Sequence, residues 1–172
     1  MKPEAIVYTS NTGYTAEYAR MLGESTGLPV YDLNAAAAQL KPGTEILYLG
    51  WLMAGAVKGY KAAAKRYRVC AVCGVCMGAT GSQLEEVRKA NALPQDMPLF
   101  TLQGGFDLSR LHGVYRFMMV VMGRVVGKRL SKKADRTAEE EQMLQLFTKG
   151  GSCVSKEHLA GVLAWLAAAE LA

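Results

Sequence analysis

Ser10-Asn11-Thr12-Gly13-Tyr14-Thr15 follows directly on the apolar run Ala5-Ile6-Val7-Tyr8 and opens directly into a helical pattern. Hydroxyls on Ser10, Thr12 and Thr15, a glycine for a sharp turn, and the free N–H groups of a helix N-terminus together make a phosphate cradle that needs no lysine. A nucleotide-triphosphate loop would carry Gly-Lys-Ser/Thr and a dinucleotide loop Gly-x-Gly-x-x-Gly. The segment contains neither.

Outward from this loop, short apolar runs alternate with helical patterns, which is the rhythm of a parallel sheet covered on both faces. Strands are expected at 5–9, 29–33, 45–50, 68–74 and 98–103, each short and most of them rich in Val, Ile, Leu, Tyr or Phe. Tyr14 to Glu24 places Tyr14, Tyr18, Met21 and Leu22 on one helical face, and a second helix is expected from Ser82 to Ala90. Five such strands suggest the doubly wound order 2-1-3-4-5, with ligand bound at the carboxyl ends of the strands.

A last amphipathic helix, with Leu159, Val162, Leu163 and Leu166 on one face, starts only near Ser155. The intervening segment, about 106–152, is too long for a structureless loop and should hold its own helices. One runs from Gly113 to Lys128 and is apolar almost all round, broken by Arg116 and Arg124; the other starts at Thr137-Ala138-Glu139-Glu140, a capping box. Gly150-Gly151 ends the insertion.

The chain has 172 residues, 51% of them apolar, enough for a single domain spanning 1–172. Four cysteines and a start that runs straight into a strand lead to the expectation of a reducing, cytoplasmic setting without a disulfide framework. Cys70 and Cys73 fall in a strand and read as buried small hydrophobes rather than cluster ligands. His112 and His158 lack neighbours of ligand spacing, so no metal site is expected. The net charge is +5, and Arg124, Lys128, Arg129, Lys132, Lys133 and Arg136 crowd together. They read either as a solvated loop between helices or as a site for an anionic partner such as a lipid surface. Nucleic acid is not expected, because no aromatic residues interleave with this run.

With the loop, strand rhythm and insertion taken together, the chain resembles the flavodoxin-like family, whose FMN phosphate loop reads Thr/Ser-x-Thr-Gly-x-Thr. Ser10, Asn11, Thr12, Gly13, Tyr14 and Thr15 fit that pattern. The resemblance implies a second flavin loop after the third strand, here Gly50 followed by Trp51, Leu52, Met53, Ala54 and Gly55. Trp51 would lie against the flavin ring or, on the ordinary reading, pack in the core. A third loop would follow the fourth strand, where Gly74, Val75, Cys76, Met77 and Gly78 lead to Ala79-Thr80-Gly81 without the aromatic and acidic residues of many flavodoxins. In layout the chain is nearest to the menaquinone-linked protoporphyrinogen dehydrogenases, through Gln103-Gly104-Gly105-Phe106 and the helix bearing Tyr115-Arg116-Phe117-Met118-Met119.

These features lead to the expectation of an FMN-dependent oxidoreductase passing electrons from an organic donor to a quinone or another acceptor, with no catalytic acid or base required of the protein. The alternatives are an electron carrier that docks on redox proteins and a flavin-free interaction module. The segment 113–136 is expected to meet a membrane surface, the domain itself or, in a homodimer, a second copy.

Overall fold

The computed structural model describes residues 2–171. The first β-α unit is β1 (Ala5–Thr9) followed by α1 (Tyr14–Thr26). There follow β2 (Val30–Asp32), α2 (Leu33–Gln39), β3 (Glu45–Met53), β4 (Ala56–Val57), α3 (Tyr60–Arg66), β5 (Arg68–Cys76), α4 (Leu84–Asn91) and β6 (Leu99–Gln103). The parallel strands stand in the order β2-β1-β3-β5-β6.

That order differs from the expected 2-1-3-4-5 because β4, a two-residue strand pairing antiparallel with the end of β3, takes the fourth place along the chain. Two residues carry no alternation, so such a strand leaves no periodic signal. The third and fourth expected strands also run further than read, to Met53 and Cys76. Both continue as apolar runs past Gly50 and Gly74, the glycines at which they were read to end, and stop only two residues short of Gly55 and Gly78.

Successive side chains of each strand feed opposite layers. Ile6, Leu47, Leu49, Ala71, Cys73 and Val75 pack with Tyr18 and Leu22 of α1 and with the last helix. Ala5, Val7, Ile46, Tyr48 and Val72 pack with Ala36 of α2, Tyr60 and Ala63 of α3 and Val87 of α4. Cys70 and Cys73 are both buried, as expected.

The insertion begins with β7 (Gly105–Phe106) and a 3-10 turn at Leu108–Arg110, and continues through α5 (Gly113–Ser131) and α6 (Ala138–Lys149) to β8 (Gly151–Ser152). β7 and β8 pair antiparallel, so the chain leaves and re-enters the domain at one point. Gly105 is needed there, because a Cβ would stand 2.4 Å from the Gly151 carbonyl oxygen and 2.7 Å from the Tyr14 ring. The capping box of α6 forms: Thr137 Oγ1 accepts from the Glu140 N–H at 3.2 Å and Glu140 accepts from the Thr137 N–H at 3.0 Å. Gly123 lets Phe147 of α6 approach α5, whereas Gly127 faces open space. Phe106, Leu111 and Leu146 form a small separate core under the two helices.

After a 3-10 turn at Lys156–Leu159, α7 (Ala160–Leu171) covers the α1 layer with Val162 and Leu166, helped by Leu159 of the turn. His158 sits in that turn, its Nδ1 2.7 Å from the Tyr18 hydroxyl, which donates to the Gln103 carbonyl. Burial raises Tyr18 and Tyr48 from the ordinary 10.0 to about 12 each. Because the neutral phenol is favoured in the fold, this stability is fully present below pH 10.0 and is lost as pH rises through about 12. Denaturant titrations across that window should lose about 2–3 kcal/mol at Tyr48 and less at Tyr18. Tyr48→Phe should flatten the slope; an unchanged slope would assign the alkaline transition to other groups.

Candidate functional site

Three chain crossings at the carboxyl ends of β1, β3 and β5 open onto one cavity of about 510 Å³. The first crossing is the Ser10–Thr15 segment. Gly13 takes φ +97°, a left-handed conformation open to glycine, and starts α1 with no side chain capping the helix. The first-turn N–H groups of such a helix have no intrahelical acceptor and carry the positive end of its dipole. Asn11, Thr12, Tyr14 and Thr15 line the cavity. Ser10 and Gly13 do not line it: the Ser10 hydroxyl accepts from the Gly13 N–H at 3.1 Å and closes the turn from behind.

At the second crossing, Trp51, Leu52, Met53, Ala54 and Gly55 all face the cavity. Trp51, Leu52 and Met53 are strand residues rather than the expected loop, because β3 continues to Met53 to pair with β4. The turn itself is Ala54-Gly55, both at positive φ. The buried Asn91 side chain holds it, donating to the Gly55 carbonyl at 2.9 Å and accepting from the Val57 N–H at 2.9 Å. Trp51 is half-buried and outside the sheet core, its ring edge-on to Tyr115 at 5.4 Å. Lys58 Nζ lies 5.7 Å from the same ring.

At the third crossing, Val75, Cys76, Met77 and Gly78 line the cavity. Val75 and Cys76 again belong to the strand, not to the loop expected from Gly74 onward. Burial pushes the Cys76 thiol up, and it contacts the Gly78 carbonyl at 3.6 Å. β6 braces this loop: the Gly104 N–H donates to the Cys76 carbonyl at 2.7 Å and the Gln103 N–H to Thr80 Oγ1 at 2.9 Å.

The insertion supplies the rest of the wall. Tyr115, Met118, Met119, Met122 and Val126 come from α5, Met143 and Phe147 from α6, Phe106 from β7, and Asp107 and Leu111 from the chain between β7 and α5. Gln83 and Glu86 close the side toward α4.

Arg110, which the sequence reading did not single out, reaches back to the first crossing. Its guanidinium donates to the Thr12 carbonyl at 3.0 Å, lies 5.7 Å from the Tyr14 ring and pairs with Asp107 at 3.1 Å. The Ser109 hydroxyl and N–H hold the Asp107 carboxyl below its usual range, and Arg110 adds to that effect. The Tyr14 hydroxyl donates to the Gly151 carbonyl at 3.1 Å and ties α1 to the end of the insertion. The site is therefore a mainly apolar, aromatic- and methionine-lined cavity. One end carries an uncapped helix N-terminus, with Asp107 in the lining and its partner Arg110 outside it.

No protein-family model, curated protein or solved structure matches the chain. Its class therefore rests on fold and site: an α/β protein with a mostly parallel sheet and a cavity at the strand carboxyl ends.

Proposed function

We propose that this chain is a flavodoxin-like, FMN-binding oxidoreductase that passes electrons from an organic donor to a quinone or another acceptor. The observation that supports this reading most is the convergence of the crossings after β1, β3 and β5 on one cavity with an uncapped helix N-terminus at its edge. A dianionic phosphate suits that terminus, and about 510 Å³ lies within the roughly 300–1,000 Å³ of small-molecule sites. The donor set fits as well: Thr12 and Thr15 offer hydroxyls and first-turn N–H groups offer direction, while Arg110 braces the loop through the Thr12 carbonyl.

FMN would supply the hydride or electron transfer. The chain's own residues bind and orient: Trp51 and Tyr115 present aromatic surface, Asn91 fixes the Ala54-Gly55 turn, and α5 and α6 shield the apolar wall from water. The wall supplied by α5 and α6 favours an enzyme over a carrier, because a carrier works by leaving its cofactor edge open to partner proteins.

Purified protein titrated with FMN should quench flavin fluorescence and retain the yellow band through gel filtration. Failure to take up FMN would overturn the reading. Arg110→Ala, which removes the brace on the Thr12 carbonyl, should weaken FMN about 10-fold, in line with roughly 1–2 kcal/mol for one charge-assisted hydrogen bond. Turnover of reduced protein with a soluble quinone separates enzyme from carrier.

A further inference from the structure

We infer that the outer face of α5 docks the protein on an anionic phospholipid surface, an interaction independent of the flavin reading. Val114, Phe117, Val121 and Val125 recur at helical spacing on the side of α5 turned away from the cavity. Phe117 is 69% exposed, and Val114 and Val125 are each 64% exposed. Soluble surfaces rarely present so many large apolar side chains side by side.

The same face changes character along the helix. Lys128 and Lys132 continue the line of Val114, Val121 and Val125, while Arg124 and Arg129 flank it. α5 contains no Asp or Glu. Of the six clustered cations, Lys133 and Arg136 are paired with Glu140 and Glu141 of α6. Arg124, Lys128, Arg129 and Lys132 make no ion pair among the described residues, Arg129 only adding to the field that holds Glu140 below its usual range. The helix expected to end at Lys128 runs on to Ser131, so Arg129 is helical as well.

Charge decides the occupant. A second copy packed parallel on this face would set cations against cations, and packed antiparallel would bury Lys128 and Lys132 against Val114 and Phe117. A lipid interface takes both halves at once, since acyl chains receive the valine and phenylalanine side chains while phosphates receive the cations. Among the described residues no helix is long and apolar enough to cross a membrane, so the contact is peripheral. Met118 and Met122 belong both to the exposed patch and to the cavity wall, which puts the lipid contact and the cavity on one helix.

The test is co-flotation of the full chain with phosphatidylcholine vesicles, with and without phosphatidylglycerol. Binding is expected only where phosphatidylglycerol is present and should fall as salt is raised. Charge reversal at Lys128, Arg129 and Lys132 should lower partitioning at least ~10-fold. Phe117→Ser with Val121→Ser should do the same while leaving the cations in place. Phe117→Trp should shift its emission to the blue on phosphatidylglycerol vesicles. Circular dichroism confirms that each variant is folded; wild type itself provides the decisive arm. Absence of flotation at low salt, or flotation indifferent to both sets of substitutions, would overturn the inference. So would a concentration-dependent blue shift of Phe117→Trp without vesicles, the signature of a dimer.

Discussion

Gly13→Val is expected to lower FMN affinity by about 100-fold while the protein folds as before. At φ +97° a β-branched residue is strained by roughly 1–3 kcal/mol. The loop relieves that strain by turning its N–H groups away from the cradle, and each 1.4 kcal/mol lost is a factor of ten. The nearest atom to a Cβ there is the tip of the flexible Arg110 side chain at 3.3 Å, so the cost falls on backbone geometry rather than on packing. Gly13→Ala should show a smaller loss, and Ser10→Ala, which removes only the brace behind the turn, one of about 10-fold, in line with a single hydrogen bond. Flavin-fluorescence titration measures all three. A Gly13→Val protein binding FMN as tightly as wild type would show that the phosphate lies elsewhere.

The position of this loop was legible because its signal is local. A strand, a turn glycine and a helix start fall within a dozen residues, and β1 spans the expected 5–9. The second and third crossings were found at the right ends of their strands but with displaced boundaries, since an apolar run such as Leu47-Tyr48-Leu49-Gly50-Trp51-Leu52-Met53 has no internal mark for leaving the sheet. Ala54, Gln83 and Ala92 adopt positive φ without being glycine or asparagine, so nothing in their identity announces a turn. Arg110 and Asn91 act over long separations: 98 residues divide Arg110 from Thr12 and 36 divide Asn91 from Gly55. No spacing rule reaches that far. The helix α5 posed a different difficulty, because a pattern apolar almost all round cannot say which side is covered. Only the fold places Tyr115, Met119 and Val126 against the cavity and leaves Phe117 and Val121 outside.

Gly59→Ala is expected to cost about 4 kcal/mol of stability, a large share of the roughly 5–15 kcal/mol typical of a domain. Gly59 stands at φ +81°, and a Cβ there would lie 2.0 Å from the Tyr48 hydroxyl and 2.5 Å from Thr9 Oγ1. Tyr48 has no room to retreat: it is fully buried, donates to the Lys58 carbonyl at 2.7 Å and meets the Thr9 hydroxyl at 2.8 Å. Strain at positive φ, overpacking and the broken hydrogen bonds therefore act together, each worth about 1–3 kcal/mol at most and not fully additive. Gly43→Ala separates these causes, since Gly43 has a similar φ of +85° but nothing within 4 Å of its Cβ, and should cost only about 1 kcal/mol. Removing the obstructing hydroxyl in Gly59→Ala/Tyr48→Phe should recover part of the loss, giving a coupling of about 1–2 kcal/mol in a double-mutant cycle. Urea unfolding of the four proteins measures it. If Gly59→Ala proved no worse than Gly43→Ala, the close approach between the start of α3 and the Tyr48 hydroxyl would not be a structural constraint. The hydroxyl contact that clamps β3 just before Trp51 would then lose its role in holding the second crossing.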